Sequence, residues 1–238
     1  TIGYVSLDPH VARVDQNGRV TGFAEGETKI AVSVDNIIEY VDVTVTVPEA
    51  KDSTKVFKDV KSGKWYTNAI NYAYSYGFVA GTSENEFGRD TTVTRGMFIT
   101  ILARIAGVDT GKEANKTTTG FTDVKSGKYY TAAIKWANEN GIVSGTGKTT
   151  FSPESPISRQ DLCVMLTNFT LYINLFFPGG KEDVEFKDVD KISDYAWHAV
   201  RACRLTGIVS GYSDGTFGPK KTATRAEAAQ ILYLYHSI

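Results

Sequence analysis

From residue 55 onward one pattern recurs three times, and that recurrence constrains the fold more than any other feature of the chain. Phe57-Lys58-Asp59-Val60, Phe121-Thr122-Asp123-Val124 and Phe186-Lys187-Asp188-Val189 open the copies. Trp65, Tyr129 and Tyr195 follow, then Ala69, Ala133 and Ala199. Next come Gly77-Phe78-Val79-Ala80-Gly81, Gly141-Ile142-Val143-Ser144-Gly145 and Gly207-Ile208-Val209-Ser210-Gly211. The aromatic residue stands 30 positions before an arginine in every copy: Trp65 and Arg95, Tyr129 and Arg159, Tyr195 and Arg225. Ungapped agreement of that length marks a repeat architecture, in which one unit cannot bury its apolar face alone.

Each copy reads as helix–loop–helix. The first helix carries Ala69, Ile70 and Ala73 at helical spacing behind Trp65. Gly77 suits the position just past its end. The second helix is more apolar. Phe98, Ile99, Ile101, Leu102 and Ile105 match Leu162, Cys163, Met165, Leu166 and Phe169, then Ala228, Ala229, Ile231, Leu232 and Tyr235. A stripe that broad suits a buried helix. The expected fold is mainly α: three helix–loop–helix repeats around a central three-helix bundle, closed into a pseudo-threefold, three-lobed unit. The expected boundaries are 57–110, 119–177 and 184–238 for the repeats, behind a linker at 51–56.

The second helices share an unusual start. Thr94-Arg95-Gly96-Met97, Ser158-Arg159-Gln160-Asp161 and Thr224-Arg225-Ala226-Glu227 each supply an N-cap hydroxyl, and Glu227 completes a capping box. The arginine then falls in the first turn, where the helix dipole disfavours a cation by roughly 0.3–1 kcal/mol. Three arginines so placed point to a guanidinium set beside exposed backbone N–H groups, together an anion site.

Composition narrows the function. A net charge of −1 gives no electrostatic drive toward nucleic acid. No apolar run approaches the roughly 20 residues that span a bilayer. Cys163 and Cys203 are too few for a disulfide framework or a metal site. They read as small buried thiols, with their pairing left open. His10, His198 and His236 are isolated. No nucleophile–base pair, metal spacing or phosphate loop appears, so neither enzyme activity nor a metal or cofactor is expected. Glycoside hydrolysis needs two converging carboxylates, and the repeats offer only scattered acids.

Residues 1–50 follow a different rule. Alternation runs through Val11 to Val14, Lys29 to Val34 and Tyr40 to Val47, which reads as strands. Asn17-Gly18 between Val14 and Val20 signals a hairpin. No secretory signal opens the chain at Thr1, and a fragment of a longer protein is expected.

Two resemblances follow. Phe-x-Asp-Val, Gly-Ile-Val-x-Gly, Asp214-Gly215-Thr216-Phe217 and Thr-Arg-Ala-Glu, in order and three times over, resemble the S-layer homology (SLH) family. Asp8 to Asp15, Asn17 to Gly22 and Gly26 to Ile30 resemble the second half of a bacterial Ig-like module of the Big2 type. The first resemblance implies an extracellular, surface-anchoring domain on the bacterial cell wall. Its implied ligand is an acidic secondary cell-wall polysaccharide bearing pyruvate ketal, met by Arg95, Arg159 and Arg225 in grooves between lobes. Neighbouring surface-protein chains are a second possible partner.

The remaining candidate site residues come from ligand chemistry. A pyruvate ketal presents a carboxylate, which suits the planar fork of arginine. Trp65, Tyr129 and Tyr195 offer faces for a sugar, against an alternative role in the core. Gly81, Gly145 and Gly211 allow close backbone approach, against a role as turn residues. Asp59, Asp123 and Asp188 accept sugar hydroxyls or orient an arginine, against a role as caps. Copies one and two depart from the family pattern at Gly96-Met97 and at Gly147-Lys148-Thr149-Thr150, so the copies are expected to differ in affinity.

Overall fold

The computed structural model describes residues 2–15, 18–173 and 175–236. The chain divides into two compact units, Thr1–Glu49 with Ile105–Gly107, and Ala50–Arg104 with Val108–Ile238.

The first unit is built of β-strands. β1 (Ile2–Ser6), β4 (Gly26–Val34) and β5 (Ile37–Val45) form an antiparallel sheet in the order β1-β4-β5. β2 (Ala12–Val14) and β3 (Val20–Gly22) form a separate antiparallel pair with Val14 opposite Val20. Asn17 lies outside the described residues. Gly18 has φ +81°, which the turn between β2 and β3 requires and glycine adopts without strain. Ala12 and Ile30 are buried, while Ile37, Ile38, Tyr40 and Val41 on β5 are mostly exposed.

Among the described residues the second unit carries six α-helices in three successive pairs. α1 (Thr67–Ser75) and α2 (Arg95–Ile105) belong to the first repeat. α3 (Thr131–Glu139) and α4 (Arg159–Tyr172) belong to the second, and α5 (Asp194–Leu205) and α6 (Arg225–His236) to the third. The first helices stop where glycine takes over: Gly77, Gly141 and Gly207 have φ near +70 to +80°. Each N–H there closes the last turn onto Tyr74, Asn138 or Arg204. Most of the faces expected to be apolar are buried, Ala69, Ile70 and Ala73 in α1 and Leu162, Cys163, Met165, Leu166 and Phe169 in α4 among them, while Ile105 and Tyr235 are half-buried and Trp65 is exposed.

Packing crosses the repeat boundaries. α5 packs on α4 and α1 packs on α6, so in both pairs the helices come from different repeats. The segments leading into α2, α4 and α6 are joined in a closed cycle. Val93 N–H donates to Ala223 O at 2.9 Å, Ala223 N–H to Ile157 O at 3.4 Å, and Ile157 N–H to Val93 O at 2.9 Å. Three equivalent residues thus satisfy one another's backbone groups, which an isolated repeat leaves orphaned.

Candidate functional site

The three arginines take up the first position of α2, α4 and α6, as the N-cap chemistry dictates. Thr94, Ser158 and Thr224 each accept from the N–H three residues on, at 3.2 Å. Glu227 returns a bond to the Thr224 N–H at 2.8 Å and closes the expected capping box. The next expectation is overturned. The first two N–H groups of each helix are not open to a ligand. Arg95 and Gly96 donate to Ser155 O and Pro153 O, Arg159 and Gln160 to Lys221 O and Pro219 O, and Arg225 and Ala226 to Thr91 O and Arg89 O. In each case the carbonyls come from the neighbouring repeat. Orphan N–H groups at a buried helix end must find acceptors, and the adjoining loop supplies them.

The side chains repeat this linkage. Nε of Arg95 donates to Phe151 O, of Arg159 to Phe217 O, and of Arg225 to Phe87 O, all at 2.9 Å. Each guanidinium also lies over the ring of that phenylalanine, 4.6 to 5.0 Å from its centroid. Such stacking contributes about 0.5–2 kcal/mol, comparable to the dipole penalty it opposes. Arg95 and Arg159 are each only 8% exposed; Arg225 is half-buried. Burial pushes the Arg95 and Arg225 guanidinium pKa values below the ordinary one, with the Asp161 charge acting the other way on Arg95.

Two acids that were not among the expected ligand residues complete the arrangement. Nη1 of Arg95 lies 3.7 Å from Asp161, and Nη1 of Arg159 lies 3.6 Å from Glu227. The acid in each case sits two residues after the arginine of the next repeat, so the motif held the signal. Tyr195 OH donates to Asp161 Oδ1 at 2.7 Å and accepts from Gln160 Nε2 at 2.6 Å. Arg95, Asp161 and Tyr195, from three different repeats, therefore form one cluster. Tyr129 feels the Arg225 charge without such a bridging acid: burial raises its phenol and the Glu154 charge adds to the rise, while a hydrogen bond to Thr94 and the charges of Arg225 and Arg104 act against it.

The expected aromatic faces are at the surface. Trp65, Tyr129 and Tyr195 are 61%, 44% and 63% exposed, while the following Tyr66 and Tyr130 are buried.

The opening aspartates bind backbone of their own repeats. Asp59 accepts from Phe87 N and Arg89 N, Asp123 from Phe151 N and Ser152 N, and Asp188 from Phe217 N and Gly218 N, all within 2.7–2.9 Å. Burial by itself raises the Asp59 carboxyl, but the N–H donors of Arg89 and Phe87 outweigh it and hold the pKa below the usual range. The glycines face protein. A Cβ on Gly81, Gly145 or Gly211 meets a loop carbonyl at 2.4–2.7 Å and the opening phenylalanine at 2.6–2.9 Å. A cavity of about 530 Å³ in the third repeat, lined by Lys181, Lys187, Arg204, Ser210 and Gly215 among others, involves none of these site residues. Among the described residues no group of acids, histidines and cysteines is arranged to hold a metal ion, and no helix is long and apolar enough to cross a membrane.

Clusters assembled at the junctions between like units define a tandem-repeat helical module. The chain belongs to the S-layer homology domain family, whose model matches residues 56–97, 120–163 and 185–229. The bacterial Ig-like domain (group 2) model matches residues 1–45. Relatives include an amylopullulanase of Thermoanaerobacterium thermosulfurigenes, 32% identical over 75% of this chain and 9% of that protein. The S-layer protein sap of Bacillus anthracis is 31% identical over 75% of this chain and 21% of its own length. A cellulosome-anchoring protein of Acetivibrio thermocellus is 24% identical over 65% of this chain and 34% of that protein. The chain thus spans between 9% and 34% of the length of these curated relatives.

Proposed function

We propose that this chain anchors a surface protein non-covalently to the bacterial cell wall by binding an acidic, pyruvate-ketal-bearing secondary cell-wall polysaccharide. It is a cell-surface, cell-wall-associated module. The binding sites are grooves between repeats, at residues 57–110, 119–177 and 184–238, behind a partial Ig-like module at 1–50 and a linker at 51–56. The three repeats close as a pseudo-threefold unit around α2, α4 and α6. The hydrogen-bond cycle through Val93, Ile157 and Ala223 supports that closure.

One observation carries the reading: an arginine held by the neighbouring repeat has an exposed tyrosine of a further repeat beside it, as with Arg95 and Tyr195. The guanidinium supplies charge and directed donors for a carboxylate, and the ring supplies a face for the sugar. Asp59, Asp123 and Asp188, with Gly81, Gly145 and Gly211, shape the loops against which the ligand lies. Similarity to an S-layer protein and to a cellulosome-anchoring protein supports an anchoring role. Sedimentation with purified wall polysaccharide tests this. Binding is expected to fall at least tenfold after chemical removal of pyruvate, and undiminished binding rejects the acid as ligand.

The burial of Arg95 and Arg159 favours a second reading, in which the arginines chiefly hold repeats together and the module makes protein–protein contacts in a surface lattice. That reading expects the folded chain to pellet with copies of itself in the absence of glycan.

A further inference from the structure

The cavity of about 530 Å³ in the third repeat is lined by none of the arginines that start the second helices. Its size suits a small ligand. Arg204, in the last turn of α5, stands in its wall. The Arg204 side chain is only 10% exposed, and its Nη1 is buried with no hydrogen-bond partner among the described residues. Nη2 of Arg204 pairs with Asp183, and the guanidinium lies 5.5 Å from the centroid of the Phe186 ring. Asp183 does not serve Arg204 alone. Its Oδ2 also accepts from Nε and Nη2 of Arg201, at 2.9 and 2.5 Å. Two guanidinium groups thus share one carboxylate. A buried N–H without an acceptor has given up its hydration for nothing, so an acceptor entering the cavity is favoured.

The arginine is particular to the third repeat. Three residues before Gly77, Gly141 and Gly207 stand Tyr74, Asn138 and Arg204. In the first repeat Tyr74 closes edge-on over Phe57, with ring centroids 5.0 Å apart. Over Phe186, the counterpart of Phe57, the place is taken by a charged group.

We propose that this cavity binds a sugar acid, a molecule of monosaccharide size with one carboxylate and several hydroxyls. The site is separate from the anchoring grooves and needs neither a pyruvate ketal nor Arg95, Arg159 and Arg225. Arg204 and Lys181 receive the carboxylate. The Lys181 N–H donates to Leu205 O at 2.9 Å, which holds that segment against the end of α5. Lys187 Nζ is already bonded to Asp214 O at 2.8 Å and contributes charge. Glu182 and Glu185 also line the cavity, and a carboxylate oxygen accepts from a hydroxyl. Lys181, Lys187 and Arg204 against Glu182 and Glu185 leave one positive charge in excess, which a single carboxylate balances. A doubly charged phosphate meets the same two acids with more repulsion and offers them fewer donors. The ring of Phe186 gives the sugar an apolar surface.

NMR titration of the full chain with glucuronate, glucose and inorganic phosphate tests the assignment. Glucuronate is expected to bind at one equivalent, with the largest amide shifts at Gly207, Val209 and Gly215. Glucose and phosphate are each expected to bind at least tenfold more weakly. Arg204→Tyr installs the residue of the first repeat and is expected to weaken glucuronate binding at least tenfold. Lys181→Ala alters an exposed side chain, leaves the fold intact, and is expected to weaken it severalfold. Absence of glucuronate binding by the wild-type chain overturns the proposal. So does equal affinity for glucose or phosphate, undiminished binding by Lys181→Ala and a folded Arg204→Tyr, or shifts centred on Arg95, Arg159 or Arg225.

Discussion

Nε of Arg225 donates to the carbonyl of Phe87 at 2.9 Å, joining residues 138 apart in sequence. The same bond joins Arg95 to Phe151 and Arg159 to Phe217. The first two link a repeat to the one after it, and the Arg225 bond returns from the last to the first. With α1 on α6 and α5 on α4, the repeats depend on one another for acceptors and for apolar cover.

Ending the chain at residue 183 is therefore expected to do more than remove one repeat. It strips α1 of α6, α4 of α5, and Val93 N–H of its acceptor. Loss of a cooperative thermal transition in the truncated chain, followed by circular dichroism, is the expected result. A truncated chain that melts as sharply as the whole one contradicts the closed cycle.

Asp59 makes stability depend on acid. Its folded pKa lies below the ordinary carboxylate value, so its contribution is present above about pH 4 and is lost as pH falls through the folded pKa. Asp59→Asn is expected to lower the melting temperature at pH 7 and to flatten its fall between about pH 5 and pH 2. Equal pH slopes for variant and wild type dispose of this assignment.

The loop glycines differ in what they do. Gly145→Ala sets a Cβ 2.5 Å from Thr150 O and is expected to destabilise by about 1–3 kcal/mol. Gly120→Ala meets nothing within 4 Å and is expected to be close to neutral. Ser152 holds φ +59° where the other copies have Gly88 and Gly218 at +72° and +66°. Ser152→Gly relieves that strain and is expected to stabilise by roughly 0.5–1 kcal/mol, after allowing for the greater freedom of glycine in the unfolded chain. Urea titrations of the three variants check all of these.

Cys163 and Cys203 are free thiols and fully buried. A hydrogen bond with Cys203, and then burial, push the Cys163 thiol well above its ordinary pKa. Neither is expected to react with an aromatic disulfide reagent until denaturant is added. Fast labelling of the folded chain refutes the packing described for α4 and α5.

Much of this protein was legible because the rules involved are local. A threefold recurrence, helical spacing of apolar residues, a Ser or Thr before an arginine and a glycine after the first helix all act within a few residues. They located six helices, their caps and their buried faces. What lay outside that reach was the identity of partners. Whether the helix N–H groups of Arg95 and Gly96 are free depends on the carbonyls of Ser155 and Pro153, more than 50 positions away. That Asp161 meets Arg95 and Glu227 meets Arg159 depends on which repeat faces which. That Trp65 is exposed and Tyr66 buried depends on the neighbouring surface, since both are aromatic and adjacent. Sequence alone determined the units and their internal chemistry. Only the tertiary structure decided how the units neutralise one another, because charge and burial are set by distances across the repeat boundaries.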